Sequence, residues 1–145
     1  MRFRNTALMS LVLIMILGGT IPSRAEEKPA EKPDHWVSVM YFHRTKRCPT
    51  CKKISAYIEE SAKKGFAEQM KAGEVGCYMI DYQDAKNSKY SRFYKISGPT
   101  LVIADVRQGK VTEWKPMPQV WSLVFKKEAF FKYVQDGIGG YLEKK

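Results

Sequence analysis

The sequence has few of the residues that build disulfide scaffolds or metal centres: only three cysteines and two histidines among 145 residues. Three cysteines are too few for the stapled framework of a small secreted domain. The chain is basic, with a formal net charge of +10, but its lysines and arginines are scattered among acids and form no arginine-rich block. We therefore expect a solvated basic surface and no nucleic-acid partner. No internal repeat interrupts the chain.

The first 25 residues have the pattern of a secretory signal peptide. A short basic start precedes an apolar run over residues 7–17, and Ser23-Arg24-Ala25 places small residues where a signal peptidase cleaves. The alternative is an uncleaved anchor, but the apolar run is shorter than the roughly 20 residues that a spanning helix needs. Residues 26–34 are charged and proline-rich, which is typical of a flexible linker. The expected result is an exported, periplasmic or secreted protein with one domain over residues 35–145.

The apolar patterns beyond the linker predict an α/β domain. Strands are expected at residues 36–42, 75–82, 100–106 and 111–114, and helices after residue 48 and at 84–94, 119–125 and 127–142. Gly65 is expected to end or bend the first helix. Two parallel strands joined by a crossover helix, followed by a hairpin and a closing helix, give a four-stranded mixed sheet flanked by helices in the order β-α-β-α-β-β-α.

Two of the three cysteines form the motif Cys48-Pro49-Thr50-Cys51 at the predicted junction of the first strand and the first helix. A sulfur at a helix N-terminus is stabilised as a thiolate by unpaired N–H groups and the helix dipole. We therefore expect Cys48 to be the nucleophile, with a lowered pKa, and Cys51 to resolve the mixed disulfide. Basic neighbours without an acid among them strengthen this expectation: Lys46, Arg47, Lys52 and Lys53.

A second signal is Ser97-Gly98-Pro99-Thr100-Leu101 at the start of the predicted third strand. The CPTC motif after a central strand, with GPTL about fifty residues later, resembles the thioredoxin superfamily over roughly residues 36–142. The resemblance implies a thioredoxin-like fold in which Pro99 is a cis-proline facing the dithiol. It also implies a substrate-binding edge made by Gly98, Pro99 and Thr100, where the Gly98 backbone pairs with an extended client segment.

Two departures from that family are visible. The CPTC strand directly follows the linker, so the additional N-terminal strand and helix of full thioredoxins are expected to be missing. The buried acid that thioredoxins carry on this strand is also absent, and Tyr41, Phe42 and His43 occupy that stretch. Its role in proton transfer is therefore vacant or passes to His43. The Pro-Thr pair between the cysteines does not indicate the reduction potential of the disulfide.

Three further residues each have two interpretations. His43 either assists the thiolate or is an exposed loop histidine without a role. Arg47 is either an electrostatic auxiliary of Cys48 or a solvated charge. Cys77 alternates with Val75 and Met79, which favours a small buried hydrophobe; a third redox partner or a dimer-forming thiol is the alternative.

The predicted function is an extracytoplasmic thiol–disulfide oxidoreductase acting on client proteins. No cofactor is expected, because the cysteine pair carries both electrons, and a membrane redox partner is implied if the protein acts as a reductant. One alternative is a module binding copper or zinc through Cys48, Cys51 and His43. The other is a redox-inert interaction domain stapled by its disulfide. A monomer is the default expectation, and the clients and the direction of electron flow stay open.

Overall fold

The computed structural model describes residues 33–144, so the expected signal peptide and most of the expected linker lie outside the described residues. The strands are β1 (His35–His43), β2 (Val75–Asp81), β3 (Thr100–Arg107) and β4 (Lys110–Pro116). The helices are α1 (Pro49–Lys71), α2 (Ser88–Phe93), α3 (Val120–Leu123) and α4 (Lys127–Leu142), with a 3₁₀ turn at Ala85–Asn87. Within this part of the chain, no helix combines the length and the apolar character needed to cross a bilayer.

The four strands form one mixed sheet in the order β2-β1-β3-β4. β1 pairs parallel with β2 and antiparallel with β3, and β3 pairs antiparallel with β4. The β3–β4 turn has positive φ at both Gln108 (49°) and Gly109 (76°), as a tight hairpin with the twist of its strands requires. The predicted element order and sheet are confirmed, and the fold is thioredoxin-like.

β1 is buried on both faces, as its nearly continuous apolar sequence predicts. Val37, Val39 and Tyr41 point into the main core, where α1 and α4 cover the sheet. Met40 and Phe42 point to the opposite face, into a smaller cluster around Tyr94. The strand that leads to the cysteine pair is thus packed on both faces, and this packing fixes the position of its end at the site.

α1 buries one side against the sheet through Ile54, Ile58 and Ala62, which recur at intervals of four residues. It bends just after Gly65, since Phe66 has non-helical angles of φ −141° and ψ 35°. A Cβ at Gly65 would lie 2.9 Å from the side chain of Gln135 on α4, so glycine permits this close approach. The structure therefore decides between the two sequence expectations: the helix bends here and continues to Lys71.

Element boundaries differ from the sequence prediction mainly in short segments. The helix expected over residues 84–94 is divided into the 3₁₀ turn and the six-residue α2. Asp84 is the reason, because its carboxylate accepts from the N–H of Lys86 at 3.1 Å and caps the turn. β4 is longer than expected, and α3 is only four residues long.

Candidate active site

Cys48 and Cys51 form a disulfide at the start of α1, with their Cα atoms 5.1 Å apart. Cys48 is the N-cap residue, in an extended conformation, and Pro49 occupies the first helical turn. The Sγ atom of Cys48 accepts from the N–H of Cys51 at 3.1 Å. The same N–H would stabilise a Cys48 thiolate after reduction, because charge-assisted hydrogen bonds at a helix start are among the stronger ones.

The two sulfurs differ in their access to solvent. Cys48 is exposed, whereas Cys51 is only 9 % exposed and faces the core side of α1. Cys48 is therefore accessible to molecules in solution, while Cys51 is shielded from them. The roles of nucleophile for Cys48 and resolving thiol for Cys51, which require such an asymmetry, stay predictions.

The disulfide opens into a cleft of about 300 Å³ lined by Arg44, Lys46, Cys48, Cys51, Pro99 and Trp121. Pro99 thus faces the pair, as the resemblance implies. The expected cis bond is wrong, since residues 33–144 contain no cis peptide. Trp121 Nε1 donates to the carbonyl of Pro99 at 3.2 Å, and the Thr100 hydroxyl donates to the carbonyl of Gly98 at 2.9 Å. These two contacts fix the position of the segment beside the disulfide.

Gly98 leaves the neighbouring backbone open. A Cβ placed there would meet nothing within 4 Å, and its N–H makes no hydrogen bond to any residue between 33 and 144. Gly98 and Thr100 do not line the cleft themselves; they flank Pro99 at its edge. An extended segment could therefore approach this backbone from the side of the disulfide.

His43 is not an exposed loop residue, so that alternative from the sequence is wrong: it ends β1 and is 6 % exposed. Its Nδ1 lies 2.9 Å from the carbonyl of Arg44, which can only accept, and its Nε2 lies 2.5 Å from Nη2 of Arg47, which can only donate. This arrangement fits the ring tautomer that carries its proton on Nδ1. Both ring nitrogens are engaged, so His43 acts on the site by holding Arg47.

Arg47 connects the end of β1 to the first turns of α1. Beyond its contact with His43, its Nη1 makes a long contact of 3.5 Å with the hydroxyl of Ser55. Ser55 in turn donates to the carbonyl of Cys51 at 3.1 Å. Sequence reasoning missed Ser55; the available signal was a serine four residues after Cys51, on the buried side of the helix.

Tyr41 lies fully buried on the same face of β1 as His43. Its hydroxyl has no hydrogen-bond partner within the described chain. Burial raises the pKa of Tyr41 to about 12, although the nearby charge of Arg47 opposes the shift. The interior beside this end of β1 thus holds a neutral phenol.

The loop between β1 and Cys48 is anchored to the end of β2. Thr45 donates through its hydroxyl to Asp81 at 2.7 Å, and its N–H donates to the side chain of Gln83 at 3.1 Å. Arg44 Nε donates to the Tyr82 hydroxyl at 2.9 Å. The hydrogen bond from Thr45 is the main cause that lowers the pKa of Asp81. This loop therefore presents its side chains from a fixed backbone.

Cys77 stays a free thiol in β2, partly buried against the main core. Burial raises its pKa to about 11; the charge of Glu59 adds to the shift, and Lys63 opposes it. Four residues separate it from the end of β2 at Asp81, or about 13 Å along a strand. A protonated, partly buried thiol is a poor nucleophile.

The metal-binding alternative has no third ligand in the described chain. No three His, Cys, Asp or Glu side chains of residues 33–144 come together as a metal-binding group. His43, the ligand proposed from the sequence, uses both ring nitrogens elsewhere. Arg47 also places a positive charge between His43 and the helix that carries the cysteines.

No family model and no curated protein matches this sequence. Among solved structures, human ERp44 form I is similar at 20% identity and a TM-score of 0.47, over 69% of this chain but only 24% of that one. Thioredoxin O2 from Arabidopsis thaliana, in its oxidized state, has 22% identity, a TM-score of 0.40 and coverage of 66% and 76%. Fasciola hepatica thioredoxin has 19% identity, a TM-score of 0.40 and coverage of 68% and 81%. Because these identities and TM-scores are low, the assignment of a thioredoxin-like fold is based on the order and direction of the strands in this chain.

Proposed function

We propose that this chain is an extracytoplasmic thiol–disulfide oxidoreductase acting on the thiols and disulfides of client proteins. The observation that carries the proposal is the exposed Cys48 at the N-cap of α1, disulfide-bonded to the shielded Cys51 and facing Pro99 across a cleft. The extracytoplasmic location is proposed from the signal-peptide pattern of residues 1–25 alone.

In the reducing direction, the Cys48 thiolate attacks one sulfur of a client disulfide. A mixed disulfide forms, and the other client sulfur leaves as a thiolate. Cys51 then loses its proton and attacks the Cys48 sulfur, which closes the Cys48–Cys51 bond and releases the second client thiolate. Two electrons have passed from the pair to the client, and the client thiolates take up protons. The oxidising direction is the reverse of these steps.

The Gly98–Pro99 segment is the proposed place where the client lies. The free N–H of Gly98 offers a hydrogen bond to an extended segment, and the Pro99 ring packs beside the client cysteine. If the protein reduces its clients, a membrane partner must return electrons to the pair, because two electrons leave with each turnover. We propose that the protein acts as a monomer.

The test is disulfide exchange by purified protein with insulin and with a peptide disulfide. We expect Cys48→Ser to reduce exchange to background and Cys51→Ser to trap a client as a mixed disulfide that dithiothreitol releases. Cys77→Ser is the matched control and keeps wild-type rates. Wild-type protein that exchanges with neither substrate, or a Cys48→Ser variant that is as active as wild type, would overturn the proposal.

A further inference from the structure

The disulfide cleft carries two cations that no acid of the described chain neutralises. Arg44 and Lys46 both line it, and both are exposed. The one hydrogen bond of the Arg44 side chain goes to the neutral hydroxyl of Tyr82, and Lys46 makes no ion pair with any residue between 33 and 144. Two full positive charges therefore stand beside the reactive sulfurs.

Of the fourteen other lysines between residues 33 and 144, six form an ion pair with a carboxylate. Ion pairs of this kind are made by Lys64, Lys71, Lys86, Lys127, Lys132 and Lys144. Asp81, the carboxylate that is hydrogen-bonded to the β1–α1 loop, accepts instead from the Thr45 hydroxyl and the N–H of Gln83. The positive charges of Arg44 and Lys46 are thus available to bind an acidic group of another molecule.

The loop backbone that carries both cations, and the guanidinium of Arg44, are held in place before any client arrives. Thr45, between the two cations, is fixed to Asp81 and Gln83, and Arg44 is fixed through its Nε. On another wall, the Trp121 indole is 38 % exposed and is oriented by its hydrogen bond to Pro99. A preorganised site loses less entropy on binding than a mobile one.

We propose that this cleft selects polypeptide segments whose disulfide is flanked by carboxylates, with Arg44 and Lys46 as the residues that bind those carboxylates. The inference rests on the proposed function, because it concerns the substrates of the same disulfide. Opposite charges attract the client during encounter and hold it while the sulfurs react, so the main effect is on the second-order rate constant. The net positive charge of the chain, to which residues 1–25 contribute only three basic side chains, acts in the same direction at longer range.

The test uses three peptide disulfides that differ only in the residues next to cysteine: glutamate, glutamine or lysine. With reduced wild-type protein at low salt, we expect the glutamate peptide to react about tenfold faster than the lysine peptide, with glutamine between them. About 0.5 M NaCl should remove most of that ratio, since the charges are exposed. Lys46→Glu should remove or reverse the order, and Arg44→Glu should do so in part.

Lys110→Glu is the matched control, because it makes the same charge change at the β3–β4 turn, at the opposite end of the sheet from the disulfide. It should keep the order of the three peptides. Equal rates for all three peptides would overturn the charge preference and leave the proposed function standing. Loss of the preference in Lys110→Glu as much as in Lys46→Glu would overturn the assignment to the cleft. Absence of exchange with every peptide would overturn the proposed function itself.

Discussion

The two ends of β1 each carry a histidine, and the two histidines have opposite surroundings. At the start of the strand, His35 lies 2.6 Å from the buried carboxylate of Asp105, which also accepts from Arg107 and from Thr112. At the other end, His43 meets the guanidinium of Arg47, and the nearby hydroxyl of Tyr41 has no partner within the described residues. One end pairs its charges; the other keeps a cation and an unsatisfied polar group beside the cysteines.

The two ends of β1 therefore have different roles: one stabilises the fold, and the other affects the chemistry of the cysteine pair. The Asp105 network ties β1, β3 and β4 together far from the disulfide, and a fully paired buried carboxylate stabilises the fold. The His43 end leaves a positive charge near a helix start, where it favours a thiolate. The buried hydroxyl of Tyr41 has no partner within the described residues, and this lowers the free energy of unfolding.

Removing the paired carboxylate should have the largest effect on stability. We expect Asp105→Asn to lower the free energy of unfolding by about 2 kcal/mol, because hydrogen bonds to a buried charge are lost. Denaturant unfolding measures this, and disulfide exchange should be unchanged. Asp136→Asn is the control: its exposed pair with Lys132 should contribute less than about 1 kcal/mol. A stable Asp105→Asn variant would remove the distinction between the two ends.

The same network predicts that part of the free energy of unfolding is lost at acid pH. Burial opposes ionisation of Asp105, but the hydrogen bonds from Thr112, Arg107 and His35 outweigh it and lower its pKa in the folded protein. Since the folded pKa is below the unfolded value, the stabilisation is present above about pH 4 and is lost as the pH falls further. Unfolding curves between about pH 2 and 5 should converge for wild type and Asp105→Asn. A constant difference down to the lowest pH would contradict this prediction.

At the other end of β1, a deletion should stabilise the protein. We expect Tyr41→Phe to raise the free energy of unfolding by about 1 kcal/mol, because it removes a buried hydroxyl that has no partner. If Tyr41→Phe instead destabilises the protein by as much, the hydroxyl has a hydrogen-bonding role that the comparison omits.

The smallest expected effect belongs to Arg47. Arg47→Gln removes the charge beside the helix start but retains donors for His43, so the pKa of the Cys48 thiol should rise and exchange near neutral pH should slow about threefold. Thiolate absorbance of the reduced protein against pH measures the shift. Stability should change little. An unchanged thiolate titration would show that Arg47 only positions the loop.

The sequence predicts the strands and helices correctly where the apolar pattern of a single element extends over many residues. The apolar strand before CPTC, the four-residue periodicity after Cys51 and the closing helix at Lys127–Leu142 all fold as expected. The short elements differ because single side chains decide them, as Asp84 does in the divided helix. A one-residue cap outweighs a weak helical pattern over so few positions.

For the site, the sequence identifies the cysteines and Pro99 but not what surrounds them. The sequence has three tryptophans and does not indicate which one borders the cleft; only the tertiary structure brings Trp121 to Pro99, 22 residues earlier. The pairing of His43 with Arg47 and the contact of Arg47 with Ser55 likewise depend on how β1 and α1 meet. Such contacts have no signature in residue spacing.

The most direct test of the central claim is the reduction potential of the Cys48–Cys51 disulfide. It is measured by equilibrating a Cys77→Ser variant with dithiothreitol or glutathione buffers and counting alkylated thiols. An exchanging pair should lie within the range of known oxidoreductases, about −270 to −120 mV. A value below about −300 mV, where structural disulfides lie, would make the bond a staple and contradict the account.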